Sequence, residues 1–536
     1  MSEKRAVSHA GRSGDADLMV YLGRRLWWLI ALCALGLPII VWRSLASSAP
    51  AATNETSLIS ATPPVRPPLK TSDAPVVGDL QKKLDAVLDK RQLPGARWGV
   101  YALNLRDGRV VAAHNAQELL APASNFKVYT TAAALDLLGA DYRWRTAVYA
   151  ATAPTDGVIA GDITLYGCGA PDLATPQLTQ MAAQLARNGV RRVRGDVVGD
   201  ETCLRAEPLG EGWLWNDVQW YFGAEISALT INDNEITLNA QPGQAALQPA
   251  TDYVHITNTI KSGGRVAALG INRGLSDNEI RVWGQTPAGD GLRARLAVHQ
   301  PALWAAGIFR QQLAAQGITV EGKTRANDAL VTDDAQRFAP QSATELVSVT
   351  SATLGDIVRQ TNKESINLYA ELILRTLGKE KSDLAPPPAP DKLDETHHDK
   401  RGLAVLRIWL RNKGIDATTL ELHDGSGLSR LDLVTPEATA RTLAAIAQTP
   451  AAAVFRESLP IAGTDGTLRG RLKSLTGRVR AKTGTLTHAD ALSGYVLTDG
   501  GETLAFAVIC NNTDTPAASH AVIDEIVRLL AEYRDR

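Results

Sequence analysis

RVRAKTG (478–484), ALSGYVLT (491–498) and TLAFAVIC (503–510), followed by AVIDEIVRLLAEY (521–533), decide the fold. The first three are short apolar runs parted by turn residues such as DGGE (499–502), and the last carries apolar residues at helical spacing. Consecutive strands on tight turns pair antiparallel, and a helix that follows directly lies over one face. This C-terminal part therefore reads as an antiparallel sheet in an α/β layered domain.

Working outward, helical patterns fill the stretch before these strands: TLGDIVRQTNK (353–363) and ESINLYAELILRTLG (364–378), then a Pro- and charge-rich loop over 379–400. His397 and His398 in that loop read as solvated residues rather than metal ligands. Near the other end, GDLQKKLDAVLDKR (78–91) predicts a helix. WGVYALNL (98–105) and VVAAHN (110–115) flank an Asp107-Gly108 turn and predict a hairpin. NFKVYTTAAALDLLG (125–139) predicts a helix closed by Gly139. Between about 145 and 340 the texture changes to short alternating segments separated by Gly, Asn, Asp and Pro, with one helical stretch at 176–188. This reads as a β-rich inserted module, which leaves 77–144 and 341–536 as the two parts of one interrupted domain.

The chain has 536 residues, room for roughly three to four domains. Its 56 Lys+Arg against 57 Asp+Glu give a net charge of −1, which argues against a nucleic-acid partner. An apolar content of 45% excludes a disordered chain. Leu26 to Trp42 (LWWLIALCALGLPIIVW) is 17 uncharged residues behind Arg24 and Arg25, so 1–43 reads as a cytoplasmic leader and a signal or anchor segment. Residues 44–76, rich in Ala, Ser, Thr and Pro, read as a flexible linker. The rest of the chain is then exported, periplasmic or in the cell envelope, and anchored in the membrane where the segment is not cleaved. Export permits disulfides. With Cys33 in the apolar segment and Cys510 in a strand, the four cysteines leave Cys168 and Cys203 either bridged or as two separate buried thiols. A bridge closing about 35 residues contributes about 3–4 kcal/mol in the chain-entropy model.

Three short motifs carry chemistry. Ser124-x-x-Lys127 places both side chains on one helical face, so a lysine amine reaches a serine hydroxyl that is a poor nucleophile without a base. Lysine serves as that base once burial or a second cation depresses its pKa. Alone the pattern is weak. Lys482-Thr483-Gly484 on a strand is stronger: the glycine lets a substrate lie close to the strand, and Lys and Thr hold a carboxylate. For the third element, Ser276-Asp277-Asn278 reads as a turn inside the insert. Ser365-Ile366-Asn367 opens an amphipathic helix beyond the insert and is chosen instead. No zinc-type spacing occurs, so no metal and no cofactor is expected.

With these motifs the chain resembles the class C low-molecular-mass penicillin-binding proteins, a family of D-alanyl-D-alanine carboxypeptidases and endopeptidases, from about residue 78 onward. The likeness extends to Gly212-Trp213-Leu-Trp215-Asn216-Asp217, Asp424-Gly-Ser426-Gly-Leu-Ser429-Arg430 and Gly463-Thr-Asp465-Gly466-Thr-Leu468. The long interval between Ser124 and Ser365 is typical of that family, which carries extra domains there. The resemblance implies a penicillin-binding/β-lactamase-like transpeptidase fold. It implies Ser124 as nucleophile, Lys127 as base, Ser365 as a proton relay and Asn367 as a holder of the acyl-side amide. Lys482, Thr483 and Gly484 would receive the terminal carboxylate, and the N–H groups of Ser124 and Thr485 would form the oxyanion hole. Asp217 would bind an amine on the peptide side chain. Asp424, Ser426 and Arg430 would shape the wall. Peptidoglycan stem peptides are the implied substrates and β-lactam antibiotics the implied inhibitors. A serine β-lactamase and a non-catalytic cell-wall binding or sensor protein are the alternatives.

Overall fold

Strand Thr503–Asn511 lies mid-sheet and is apolar on both sides: Ala505, Ala507 and Ile509 enter one core, Leu504, Phe506 and Val508 another. Successive side chains of a strand point to opposite faces, so an unbroken apolar run needs cover on both. The sheet runs in the order Val479–Leu486, Ala489–Leu497, Thr503–Asn511, Arg97–Asn104, Val110–His114, antiparallel throughout. Helices Asp79–Lys90 and Pro516–Ala531 cover one face with Leu84, Leu88, Ile523 and Val527. Helices Lys127–Leu138, Leu354–Glu364, Asn367–Glu380, His398–Asn412 and Pro436–Ile446 cover the other. The computed structural model describes residues 78–90, 93–328, 330, 337–389 and 393–534.

Helix Lys127–Leu138 is central to that second layer. Lys127 through Leu135 are all buried, so the helix has no polar face and is held by packing on every side. Gly139, at φ 85°, ends it.

The insert builds a second five-stranded sheet, ordered Thr324–Asn327, Val197–Asp200, Ile163–Tyr166, Arg145–Ala150, Thr344–Thr350, and three smaller three-stranded sheets. Its last strand lies past the boundary expected at 340: alternating TELVSVT is strand-like, and Thr344–Thr350 pairs antiparallel with Arg145–Ala150 at the edge of the insert's sheet. The insert also holds a helix that the texture conceals, Pro301–Ala315, packed with Thr175–Arg187 against the second sheet. Ser276, Asp277 and Asn278 form the bend between strands Ala268–Arg273 and Glu279–Thr286, where Asp277 Oδ1 accepts the Glu279 N–H at 2.9 Å.

The two histidines of the 379–400 loop are not solvated. His397 is buried, and His398 opens helix His398–Asn412 with its N–H and Nδ1 bonded to the Arg205 backbone at 2.7 and 2.9 Å. Burial, assisted by the Lys379 charge, lowers the His398 pKa to about 4. Pro- and charge-rich composition marked a loop, but its end docks on the insert.

The expected leader, apolar segment and linker (1–76) lie outside the described residues, as does Cys33. Among the described residues no helix is long and apolar enough to cross a membrane.

Cys168 and Cys203 are bridged, with Cα atoms 5.2 Å apart, while Cys510 is free and buried. The bridge joins the segments that follow strands Ile163–Tyr166 and Val197–Asp200. Replacing both cysteines with alanine is expected to destabilise the protein by about 3–4 kcal/mol. A lowered midpoint in denaturant unfolding, reproduced in the wild type by a reductant, checks this.

Candidate active site

The nucleophile turn is strained into place. Ala123 holds φ 49°, a left-handed conformation that costs a non-glycine residue about 1–2 kcal/mol. Its carbonyl lies against Gly427, where a Cβ would come within 2.0 Å of the Ala123 oxygen. The tight helical turn Ala123–Phe126 then runs directly into helix Lys127–Leu138, stacking Lys127 over Ser124.

Lys127 is fully buried, and its Nζ donates three hydrogen bonds: to Ser124 Oγ at 3.0 Å, Asn367 Oδ1 at 2.5 Å and the Ser426 carbonyl at 2.7 Å. Those are the three donors an ammonium has. Burial drives its pKa down to about 7, against the opposing pull of Asp424, Glu371 and Asp432.

The Ser365/Asn367 corner follows from two helices meeting end to end. Leu354–Glu364 stops at Ser365, whose φ of 60° and ψ of 41° turn the chain, and Asn367 begins the next helix. The corner thereby presents Asn367 to Lys127 and Ser365 Oγ to Lys482 Nζ at 2.8 Å. Asn367 Nδ2 also donates to the Phe222 carbonyl of the insert at 2.8 Å.

Lys482, Thr483 and Gly484 stand on Val479–Leu486, the edge strand of the main sheet. Segment 460–462 covers the first part of that edge through Ala462 N–H to Val479 and Ala481 N–H to Pro460. Farther along, Asn125 Nδ2 donates to the Lys482 carbonyl at 2.9 Å and fastens the nucleophile turn to the strand. Lys482 is fully buried, and its Nζ bonds Ser365 Oγ and the Thr483 carbonyl. Burial, with the Lys127 charge nearby, pushes its pKa well below the usual range. The Thr483 hydroxyl donates to Thr467 Oγ1 at 2.7 Å, and Thr485 is exposed beyond it.

Gly484 answers a different need from the one the motif suggested. A Cβ there would lie 2.4 Å from the Pro122 carbonyl oxygen and 2.9 Å from the Asn125 nitrogen. The glycine admits the nucleophile turn itself.

The structure thus brings Ser124, Lys127 and Asn367 into one network and Lys482, Ser365 and Thr483 into a second, joined through Asn125. Asp217 stands apart from both. Its segment lies along the 424–431 loop, with the Arg430 N–H on the Gly212 carbonyl and Trp213 Nε1 on Asp424 Oδ2. Burial raises the Asp217 pKa against the opposing Arg430 charge, and its Oδ2 is buried with no hydrogen-bond partner.

Two parts of the site escape motif reading. The Ser426 carbonyl is a backbone group, so no side chain announces it. Asp424 holds its loop by accepting N–H bonds from Ser426, Gly427 and Ser429. Beneath lies Glu371, fully buried, paired with Arg375 at 2.8 Å and accepting the Gly425 N–H at 2.9 Å. Burial beside Asp424 lifts the Glu371 pKa to about 7. An i, i+4 acid–arginine pair on an apolar helix was the only available signal.

A family model described as D-Ala-D-Ala carboxypeptidase 3 (S13) matches residues 80–533. The chain belongs to that family. It is 35% identical over 492 residues to a D-alanyl-D-alanine carboxypeptidase of Actinomadura sp. strain R39, covering 87% of each chain. It is 28% identical to the D-alanyl-D-alanine carboxypeptidase DacB of Haemophilus influenzae, covering 82% of this chain and 88% of the relative. The crystal structure of penicillin binding protein 4 (dacB) from H. influenzae has the same fold, with a TM-score of 0.73 at 24% identity over 84% of this chain and 99% of that one. Membership of the S13 family sets the reaction class: this is a D-Ala-D-Ala carboxypeptidase, a hydrolase.

Gly484→Ala is expected to displace the Ser124 turn, since both obstructing atoms are backbone. Misplacement on the order of 1 Å costs about 10²-fold in rate. Acylation kinetics with a penicillin, alongside a melting curve showing a folded protein, measure it.

Proposed function

We propose that Ser124 is the nucleophile of this S13-family carboxypeptidase and Lys127 its general base. The observation that carries the proposal is the 3.0 Å contact between Lys127 Nζ and Ser124 Oγ, with the lysine buried and its pKa lowered to about 7. A neutral amine takes the Oγ proton as the oxygen attacks the carbonyl carbon of the terminal D-Ala-D-Ala bond. The Ser124 and Thr485 N–H groups then stabilise the resulting oxyanion, a donor pair in which each is worth about 3–4 kcal/mol. The tetrahedral intermediate collapses with cleavage of the C–N bond. Ser365, bonded to Lys482, relays to the departing D-Ala amine the proton that Lys127 took from Ser124, which returns Lys127 to its neutral form. Asn367 holds the acyl-side amide, and Lys482 and Thr483 line the place of the terminal carboxylate. Water hydrolyses the Ser124 ester and returns the proton through Lys127.

Peptidoglycan stem peptides are the proposed substrates, with cross-link bonds of the same D,D type as endopeptidase substrates. β-Lactams would acylate Ser124 and leave slowly. Asp217, whose buried Oδ2 has no hydrogen-bond partner, would accept an amine on the peptide side chain. The Cys168–Cys203 bridge supports an exported, oxidising location, with 1–43 as signal or membrane anchor. The proposed organisation is one catalytic domain, formed by 77–144 and the chain after the Thr344–Thr350 strand, interrupted by the insert.

Fluorescent penicillin is expected to give a stable covalent adduct with the wild type and none with Ser124→Ala; an adduct that survives the substitution refutes the assignment. The acylation rate should climb with pH up to about 7 and level off above it, because only the neutral Lys127 amine accepts the proton. Lys127→Arg, permanently charged, should lose about 10²–10⁴-fold at every pH.

A further inference from the structure

The Gly463-Thr464-Asp465-Gly466-Thr467-Leu468 loop is fixed to both halves of the site. Asp465 accepts from Lys363 Nζ at 2.6 Å with one oxygen and from the Ile461 N–H at 2.7 Å with the other. Lys363 lies two residues before Ser365 in the same helix. Gly466 packs on the Lys363 backbone, where a Cβ would meet the carbonyl oxygen at 2.6 Å. Leu468 is fully buried in the core shared with Val479 and Ala481 of the edge strand. A loop clamped at the helix corner, the strand and the core presents Thr467 Oγ1 to Thr483 Oγ1 at 2.7 Å, while the Thr464 hydroxyl donates back to the Ala462 carbonyl.

The pair matters because of what Lys482 does not do. It is wholly buried, and its Nζ is engaged by Ser365 Oγ and the Thr483 carbonyl. Its amine is therefore held inward beneath the site, while the hydroxyls on the exposed side are placed to donate to a carboxylate. Thr467 is exposed, and Thr483 lies partly exposed beside it. Each hydroxyl has one proton and accepts as well as donates. Without ligand they satisfy each other; facing a carboxylate, both turn outward and each donates to one of its oxygens.

We propose that Thr467 is a second hydroxyl ligand for the substrate's terminal carboxylate, forming with Thr483 a two-pronged donor above Lys482. This rests on the acyl-enzyme reading above. It makes Thr467 a specificity residue for a free C-terminal acid over a capped one.

The test uses one β-lactam in two forms, benzylpenicillin and its methyl ester, whose acid or ester group stands where the peptide carboxylate would. Second-order acylation rates of Ser124 are measured for the wild type, Thr467→Val and Thr467→Ser. A hydrogen bond to a charged group predicts a loss of roughly tenfold or more for Thr467→Val with the acid, and less than about threefold with the ester. Thr467→Ser should restore the preference for the acid. Equal losses on both forms, or no loss on the acid, overturn the proposal. Failure of the wild type to form any Ser124 adduct would instead overturn the nucleophile assignment, so the two failures are distinct.

Discussion

A buried lysine with three acceptors governs this structure. Lys127 Nζ touches the Ser124 hydroxyl, the side chain of Asn367 and the carbonyl of Ser426, groups carried by three separate segments. Taking an ammonium out of water is costly, and the pKa of about 7 expresses that cost. Full solvation would leave the amine charged and useless as a base. Burial without acceptors would leave its protons unpaired. The strained Ala123, the left-handed Ser365 and the close-packed Gly427 are the backbone conformations that bring three acceptors to one nitrogen in a dry place.

The second lysine is arranged by the same logic with a different outcome. Lys482 is buried, bonded to a hydroxyl and a backbone carbonyl and facing no carboxylate among its hydrogen-bond partners. Its charge is therefore the less favoured, and the Lys127 charge depresses it further. Asp424, Glu371 and Asp432 act on Lys127 alone among the two, which keeps its pKa at a working value rather than letting it fall with that of Lys482. An acidic layer beneath one lysine and none beneath the other sets the two amines apart in protonation.

Much of this was legible beforehand, and the boundary of legibility is physical. The main sheet could be read because its strands are continuous apolar runs with tight turns. Ser124, Lys127, Ser365, Asn367 and Lys482 could be read because reactive side chains at fixed spacing are rare. What stayed hidden acts through backbone or through distant contacts. The Ser426 carbonyl has no identity in sequence. Gly484 was assigned to the substrate, whereas its neighbour is the Pro122 carbonyl. His397 and His398 looked solvated because the Arg205 backbone that receives His398 lies far back in the chain, inside the insert. Helix Pro301–Ala315 was lost among strands because its apolar residues occur nearly all round, leaving no amphipathic period to detect.

The insert is more than an appendage to an independent catalytic domain. Asn367 can offer only one amide group to Lys127, and its other end is held by the Phe222 carbonyl. Asp424, which shapes the loop behind the Ser426 carbonyl, takes one of its bonds from Trp213. The orientation of two of the three groups around Lys127 is thus set in part by residues of the insert. A carboxamide rotated by half a turn would present nitrogen rather than oxygen to the lysine, and Phe222 excludes that alternative by supplying an acceptor where the nitrogen must sit. Removing the insert would leave Ser124, Lys127, Ser365, Asn367 and Lys482 in the chain and still free the amide that holds Lys127.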